Sequence, residues 1–142
     1  MPTAVDISPI IPFKKLKNTK AWKLTSEYVR KSSGGKCYTC GKKYPLAKLV
    51  AGHFIEKIGG AAVYFDLRNL RAQCGWNCNR MKHGNKEIYA MKLVKERGPN
   101  ILQELHKKAQ KSKQWHQNEL DDIAAEMYMK LHSYRPDLPK AA

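Results

Sequence analysis

No apolar run in this 142-residue chain approaches the roughly 18–20 residues that a membrane-spanning helix needs, so no membrane partner is expected. The first residues, Met1-Pro-Thr-Ala-Val-Asp6, lack a basic stretch followed by an apolar one. The reading is therefore of a cytoplasmic protein without a secretory signal. Acidic side chains are scarce, with 12 Asp and Glu against 27 Lys and Arg and a formal charge of +15. A surplus of that size points to a polyanionic partner, above all nucleic acid. Repeats and low-complexity segments are absent, and the length fits one domain with a modest core. Only four cysteines occur, in two close pairs. Without an export signal, such pairing favours metal over disulfides.

The charge is uneven. Residues 1–36 and 37–85 each carry a net +6, whereas residues 86–142 carry only +3. The first 85 residues are thus expected to face phosphate and the C-terminal part to pack. Three segments follow: a basic arm and helix over 1–36, a core over 37–98, and C-terminal helices over 99–142. The fold class expected is α+β.

Pro2, Pro9 and Pro12 make residues 1–13 an extended arm, since proline fixes φ and removes a donor. Asn18 or Thr19 can cap a helix running to about Arg30, with Trp22, Thr25 and Val29 on one face. Trp22 reads as core rather than as a base-stacking platform. Ser32-Ser-Gly-Gly35 breaks the helix. Leu49–Ile55 suits a strand, Gly59-Gly60 a loop, and Ala61–Phe65 a second strand. A helix is expected to begin near Cys78, and another after Asn85 with Ile88, Met91 and Val94 on one face. Gly98-Pro99 ends that helix and begins the next, whose stripe is Ile101, Leu102, Leu105 and Ala109. Leu120, Ile123, Ala124, Met127, Tyr128 and Leu131 mark a last amphipathic helix over about 117–133, ended by Pro136 and Pro139. Its other face is acidic, so it reads as a packing helix, against the core or a second subunit.

The chemistry lies between the cysteine pairs. Cys37-x2-Cys40 precedes Cys74-x3-Cys78 by 33 residues. Two such pairs can close one tetrahedral structural Zn²⁺ site, with His83 competing against Cys78 as fourth ligand. His53 lies between the pairs, preceded by Gly52 and followed by Asn69 and Asn79. A neutral imidazole can take a proton from water near pH 7. A lone histidine in an apolar strand is otherwise a satisfied core residue. Arg68, Arg71, Arg80 and Lys82 surround these positions and can hold a phosphate backbone. No base-reading element is evident.

His53, Asn69 and Asn79 resemble the three named positions of the HNH, or ββα-metal (His-Me finger), nucleases. More narrowly, the ordered set Cys37, Cys40, Gly41, Ala51, Gly52, His53, Phe54, Asn69, Gln73, Cys74, Cys78, Asn79, Gly84, Asn85 and Tyr89 resembles the NinG (Rap) family of phage recombination endonucleases. The resemblance covers about residues 37–107. It implies a zinc-stapled ββα-metal core with added N- and C-terminal helices. It implies His53 as general base, Asn69 as a structural amide orienting the His53 segment, and Asn79 as ligand of a catalytic Mg²⁺ or Mn²⁺. It implies cleavage of branched DNA, such as Holliday junctions and D-loops, inside a phage-infected host cell. Many HNH enzymes carry an aspartate ligand where this chain has Gly52, and often a histidine where it has Asn79. With His83 and Asn85 as weaker contributors, metal binding is expected to depend on the DNA phosphate. Paired cuts across a four-way junction need two sites about a two-fold axis, so a homodimer is expected, through residues 117–133. The competing reading is a non-catalytic zinc-finger DNA-binding protein with His53 in its core.

Overall fold

The computed structural model describes residues 5–56 and 60–133. Thr19 opens the first helix, its hydroxyl accepting the Trp22 amide at 3.2 Å. That cap satisfies one of the free donors at the start of α1 (Lys20–Ser32). The arm before it is not extended throughout. Ile10–Ile11 forms a short strand, β1, but Phe13–Asn18 coils into a 3-10 turn that drives Leu16 into the interior.

The central hairpin pairs β2 (Leu49–His53) with β3 (Leu70–Cys74), antiparallel, from Leu49 opposite Cys74 to His53 opposite Leu70. The expected second strand at Ala61–Phe65 is a 3-10 turn over Ala61–Val63 instead. A short apolar run cannot be told from a turn by periodicity alone. Here the turn sends Val63 into one core and Tyr64 and Phe65 into another. The true strand, Leu70-Arg-Ala-Gln-Cys74, alternates apolar and polar residues, but it is covered on both faces and its Gln73 is fully buried. Of the expected loop Gly59-Gly60, Gly59 lies outside the described residues, as do Pro2, Pro136 and Pro139.

After β3 the chain enters a π-helical turn, Gly75–Met81, then α2 (Lys86–Arg97) and α3 (Ile101–Ala109). In α2 the buried face is Tyr89 and Leu93; of the expected stripe Val94 packs against the core, whereas Ile88 and Met91 are exposed. Tyr89 wins its place because its hydroxyl reaches the Gly52 carbonyl at 2.8 Å inside the core. In α3 Ile101, Leu105 and Ala109 are buried as the spacing predicts. Strand β4 (Trp115–His116) pairs with β1, and α4 (Gln117–Ser133) buries Leu120, Ala124 and Met127. Helix α4 packs along α1. A mixed α+β architecture results, in which α1 covers one face of the hairpin through Val29, Leu70 and Ala72. Tyr38, Phe54 and Val63 bring the other side onto α2 and α3. Among the described residues, no helix is long and apolar enough to cross a membrane.

Asp66 ties the loop before β3 to α3. Its carboxylate accepts the Arg68 amide at 3.0 Å, the Arg68 guanidinium at 2.8 Å and the Lys108 ammonium at 2.9 Å. Burial alone would raise its pKa, but the Arg68 and Lys108 donors outweigh it and hold the carboxyl well below the usual range. A depressed folded pKa stabilises the fold above the unfolded carboxylate pKa of about 4, and that contribution is lost as pH falls below it. Asp66→Asn should therefore destabilise by about 1–3 kcal/mol at pH 7, with the deficit shrinking below about pH 4. Urea denaturation of both proteins across that range measures it; a deficit that stays constant in acid would show that the charge contributes nothing.

Candidate functional site

Four sulfurs gather at one end of the hairpin. Cys37 and Cys40 sit on a tight loop closed by the Gly41 amide on the Cys37 carbonyl at 3.0 Å. Cys74 ends β3 and Cys78 lies in the π turn. The four Sγ atoms are all within 4.8 Å of one another. Cys40 and Cys74 stand 3.9 Å apart, far beyond the roughly 2.05 Å of a disulfide. None of the four is in a disulfide. His83 is exposed and outside the cluster, so the four cysteines are the candidate ligands.

The donors around the sulfurs fit a metal. The Thr39 hydroxyl lies 3.5 Å from Cys37, the Tyr44 hydroxyl 3.6 Å from Cys40, the Cys78 amide 3.3 Å from Cys74, and the Asn85 amide nitrogen 3.8 Å from Cys78. Each sulfur thus has a partner able to donate to a thiolate, the arrangement that steadies metal-bound sulfur. Without a cation the cluster cannot ionise freely. Burial works against charge on Cys37, yet the Cys40 amide and Thr39 hydroxyl bring it down to about 6. Cys78 is pushed up to about 12, by burial first and by its neighbouring thiols. A divalent ion removes that conflict, and tetrahedral sulfur is the donor set that Zn²⁺ prefers. Asn85, at the start of α2, makes no side-chain cap; it has a left-handed backbone (φ 50°), and its amide nitrogen lies against the Cys78 sulfur.

A buried amide relay leads from this cluster to the middle of β2. Gln73 is fully buried, and its Nε2 donates to the Thr39 hydroxyl at 3.1 Å and the Gly84 carbonyl at 2.7 Å. Those two acceptors fix which end of the amide is oxygen. Its Oε1 accepts from Asn79 Nδ2 at 3.4 Å, which leaves the Asn79 oxygen as the amide's uncommitted end. A Cβ on Gly52 would stand 2.1 Å from the Gln73 oxygen and 3.2 Å from Asn79 Nδ2. Glycine is required here because an amide fills the space of a side chain. Gln73 was assigned no role from sequence, although a glutamine at an inward position of an apolar strand is a signal.

Asn69 is likewise fully buried and ties down the segment after His53. Its Oδ1 accepts the Ile55 amide at 2.8 Å, and its Nδ2 donates to the carbonyls of Ile55 (3.0 Å) and Val63 (3.3 Å). The His53 ring stacks on Trp22 at 4.9 Å and lies 4.6 Å from Tyr64. Its Nε2 is 3.0 Å from the Tyr64 carbonyl. A carbonyl only accepts, so this bond assigns the proton to Nε2 and leaves Nδ1 bare in the neutral ring. Burial lowers the His53 pKa, against the raising effect of the Tyr64 bond. Asn79 lies where a Gly52 side chain would project, the His53 ring lies against Trp22 and Tyr64, and no hydrogen bond joins the two side chains. Lys86 reaches the His53 carbonyl, stands 3.6 Å from the Glu56 carboxylate, and is itself lowered in pKa by burial.

The four expected phosphate contacts divide. Arg68 is engaged by Asp66 and Glu104, and Arg71 by Glu96 and the carbonyls of Leu67 and Leu70. Arg80 and Lys82 are exposed on or beside the π turn.

One equivalent of Zn²⁺ per chain should co-purify, and Co²⁺ exchange should give the absorption of tetrahedral thiolate ligation. Cys74→Ser and strong chelation should each lower the melting temperature sharply, since such sites contribute on the order of 10 kcal/mol to small domains. A metal-free protein of unchanged stability would dismiss the site.

Residues 12–136 match the profile of the family described as Bacteriophage Lambda NinG protein. Two curated relatives, the proteins ninG of Escherichia phage 933W and of Enterobacteria phage VT2-Sa, are each 29% identical over 106 residues, covering 75% of this chain and 51% of theirs. The chain therefore spans about half the length of the curated relatives it matches. No solved structure matches it. With all but the ends of the chain inside the family profile, and with the cysteine cluster and its amide relay within that span, this protein belongs to the NinG family.

Proposed function

We propose that the chain is a metal-dependent DNA endonuclease of the HNH type, selective for branched recombination intermediates. One observation carries the reading: the Tyr64 carbonyl holds His53 in the tautomer whose Nδ1 is free to accept a proton. Burial keeps the ring neutral, the form a general base needs. Asn69 fixes the segment that follows, and the bond from Asn79 Nδ2 to Gln73 leaves the Asn79 oxygen as the end of that amide able to meet an ion. The +15 charge supplies long-range attraction for DNA.

In this mechanism His53 Nδ1 takes a proton from water as the water oxygen attacks phosphorus. The P–O3′ bond breaks, the 3′ oxygen takes a proton from solvent, and the products carry 5′-phosphate and 3′-hydroxyl ends. A Mg²⁺ or Mn²⁺ held by Asn79 and the DNA would offset charge on the phosphate and leaving oxygen. With Gly52 in place of a carboxylate, the protein presents little charge to such an ion, so DNA must complete its shell. The stacking of His53 against Trp22 and Tyr64 favours a second reading, a zinc-bound DNA-binding protein without catalysis.

Incubation with linear, flapped and four-way DNA in Mg²⁺, Mn²⁺ or chelator separates them. Metal-dependent nicking that prefers branched DNA is expected, and His53→Ala should reduce it at least 100-fold while zinc content and DNA binding persist. Binding without nicking in any divalent ion would establish the second reading instead. Because burial depresses its pKa, the His53 base form persists below the ordinary imidazole value. The rate should therefore reach half its plateau below about pH 6.5.

A second copy of the chain would supply the paired cut. Tyr128 (49% exposed) and Met129 (66%) lie on the uncovered side of α4, beside a groove shared with Lys20 and Ala125. Light scattering should report a dimer that Met129→Glu dissociates; a monomer with and without DNA would remove the two-fold arrangement.

A further inference from the structure

Trp76 is out of place as a packing residue. A tryptophan contributes by burying about 150–250 Å², yet this one leaves 66% of its surface in water. The other two tryptophans are partly buried: Trp22 stacks on His53 and Trp115 donates to the Ala61 carbonyl. Trp76 is also held stiffly. It sits between Cys74 and Cys78 in the π turn, which is pinned by the Cys78 amide on the Cys74 sulfur and by Lys82 N–H on the Asn77 carbonyl at 2.9 Å. The Arg80 guanidinium lies 5.1 Å from the centre of its ring. A π turn advances five residues per hydrogen-bonded step, which places Met81, 58% exposed, on the same side. Lys82 and His83 follow, both exposed.

We propose that Trp76 is a stacking platform for an unpaired nucleobase, with Arg80 and Lys82 taking the adjoining phosphates. A rigid, exposed indole loses little entropy when a base settles on it, and every base has a face to offer. The surrounding charge selects the occupant. A second copy of the chain would bring Arg80 and Lys82 against their like-charged equivalents across a two-fold axis, whereas a nucleic acid neutralises them. Among the described residues no other ring lies against Trp76, and most of its surface faces water beside the Arg80 guanidinium. The platform stands three residues from Asn79 and therefore next to the candidate site. Branched DNA exposes bases at its junction that a perfect duplex keeps stacked, so this surface would favour such structures without reading sequence. The inference rests on the nucleic-acid-binding part of the reading above and not on catalysis.

Fluorescence anisotropy at fixed salt tests it with the zinc-loaded full chain, labelled oligo(dT) and a blunt duplex of equal length. Trp76→Ala should weaken oligo(dT) binding about tenfold and duplex binding less than twofold, while Trp76→Tyr keeps most of the affinity. Arg80→Ala with Lys82→Ala should weaken both and flatten their salt dependence. Oligo(dT) should also quench intrinsic fluorescence in the parent but not in Trp76→Phe, a readout that stands if the alanine variant folds poorly. If the parent binds neither DNA, the nucleic-acid reading itself falls. If it binds both and Trp76→Ala changes them equally or not at all, the platform is refuted. Self-association that Trp76→Ala abolishes would reassign the surface to a second copy and refute it too.

Discussion

A two-stranded hairpin has too little surface to hold itself together in water, and β2 and β3 form only that. Everything else in the chain can be understood as closure of that hairpin from outside. At its Leu49–Cys74 end the four sulfurs bring together the Cys37–Cys40 loop, the end of β3 and the π turn. At its His53–Leu70 end the Asn69 side chain spans the connection, bonded to both the amide and the carbonyl of Ile55. Helix α1 covers one face with apolar side chains, and Tyr89 fastens α2 to the Gly52 carbonyl from the other side. A metal at the sulfur end would therefore act at a distance. Cys37, Thr39, Gln73 and Asn79 are joined in sequence by hydrogen-bonding contacts, so the orientation of the Asn79 amide depends on the loop that carries Cys37 and Cys40.

That relay also accounts for the departure at position 52. A buried polar network is tolerated only when its members find partners, and Gln73 finds three. Its oxygen occupies the volume in which a carboxylate at position 52 would begin. Glycine and glutamine are thus one choice made at two positions: the strand gives up a side chain so that its neighbour can steer Asn79. An ion held beside Asn79 would meet neutral amides, and its charge would have to be balanced by nucleic acid phosphate.

How much of this was legible can be argued residue by residue. The cysteine pairs declared themselves by spacing, and α3 and α4 by a clean 3.6-residue period that the packing obeys at Ile101, Leu105, Leu120, Ala124 and Met127. The face of α2 was misread because Met91 and Ile88 outrank Tyr89 in hydrophobicity, while a hydroxyl with a buried acceptor makes tyrosine the better core residue. The second strand was misplaced because Ala61–Phe65 is apolar and Leu70–Cys74 is interrupted by Arg71 and Gln73. Those two polar residues have partners, Glu96 and Thr39, that lie 25 and 34 residues away in sequence and that no local pattern reveals. At the candidate site, spacing could single out His53, Asn69 and Asn79 but could not show what each side chain touches. The Tyr64 carbonyl that sets the imidazole tautomer comes from a backbone atom, on which sequence is silent.

The same distinction between count and placement governs the charge. A net +15 describes the chain, yet its arginines are not equally available. Arg68 and Arg71 flank Asn69 and look like phosphate ligands by position, but their guanidinium groups hold Asp66, Glu104 and Glu96 and lock the hairpin to α2 and α3. Recruiting Arg68 to DNA would break its pair with a carboxylate, Asp66, that is itself nearly buried, and recruiting Arg71 would break its pair with Glu96. Among the described residues Arg80 has no such anchor beyond an exposed indole. Of the four cations expected to meet phosphate, the two that no carboxylate holds among the described residues are Arg80 and Lys82, on or beside the π turn that carries both Cys78 and Asn79. Charge that folding does not consume, on backbone that the cysteines make rigid, is where a polyanion would be met at least cost in reordering the protein.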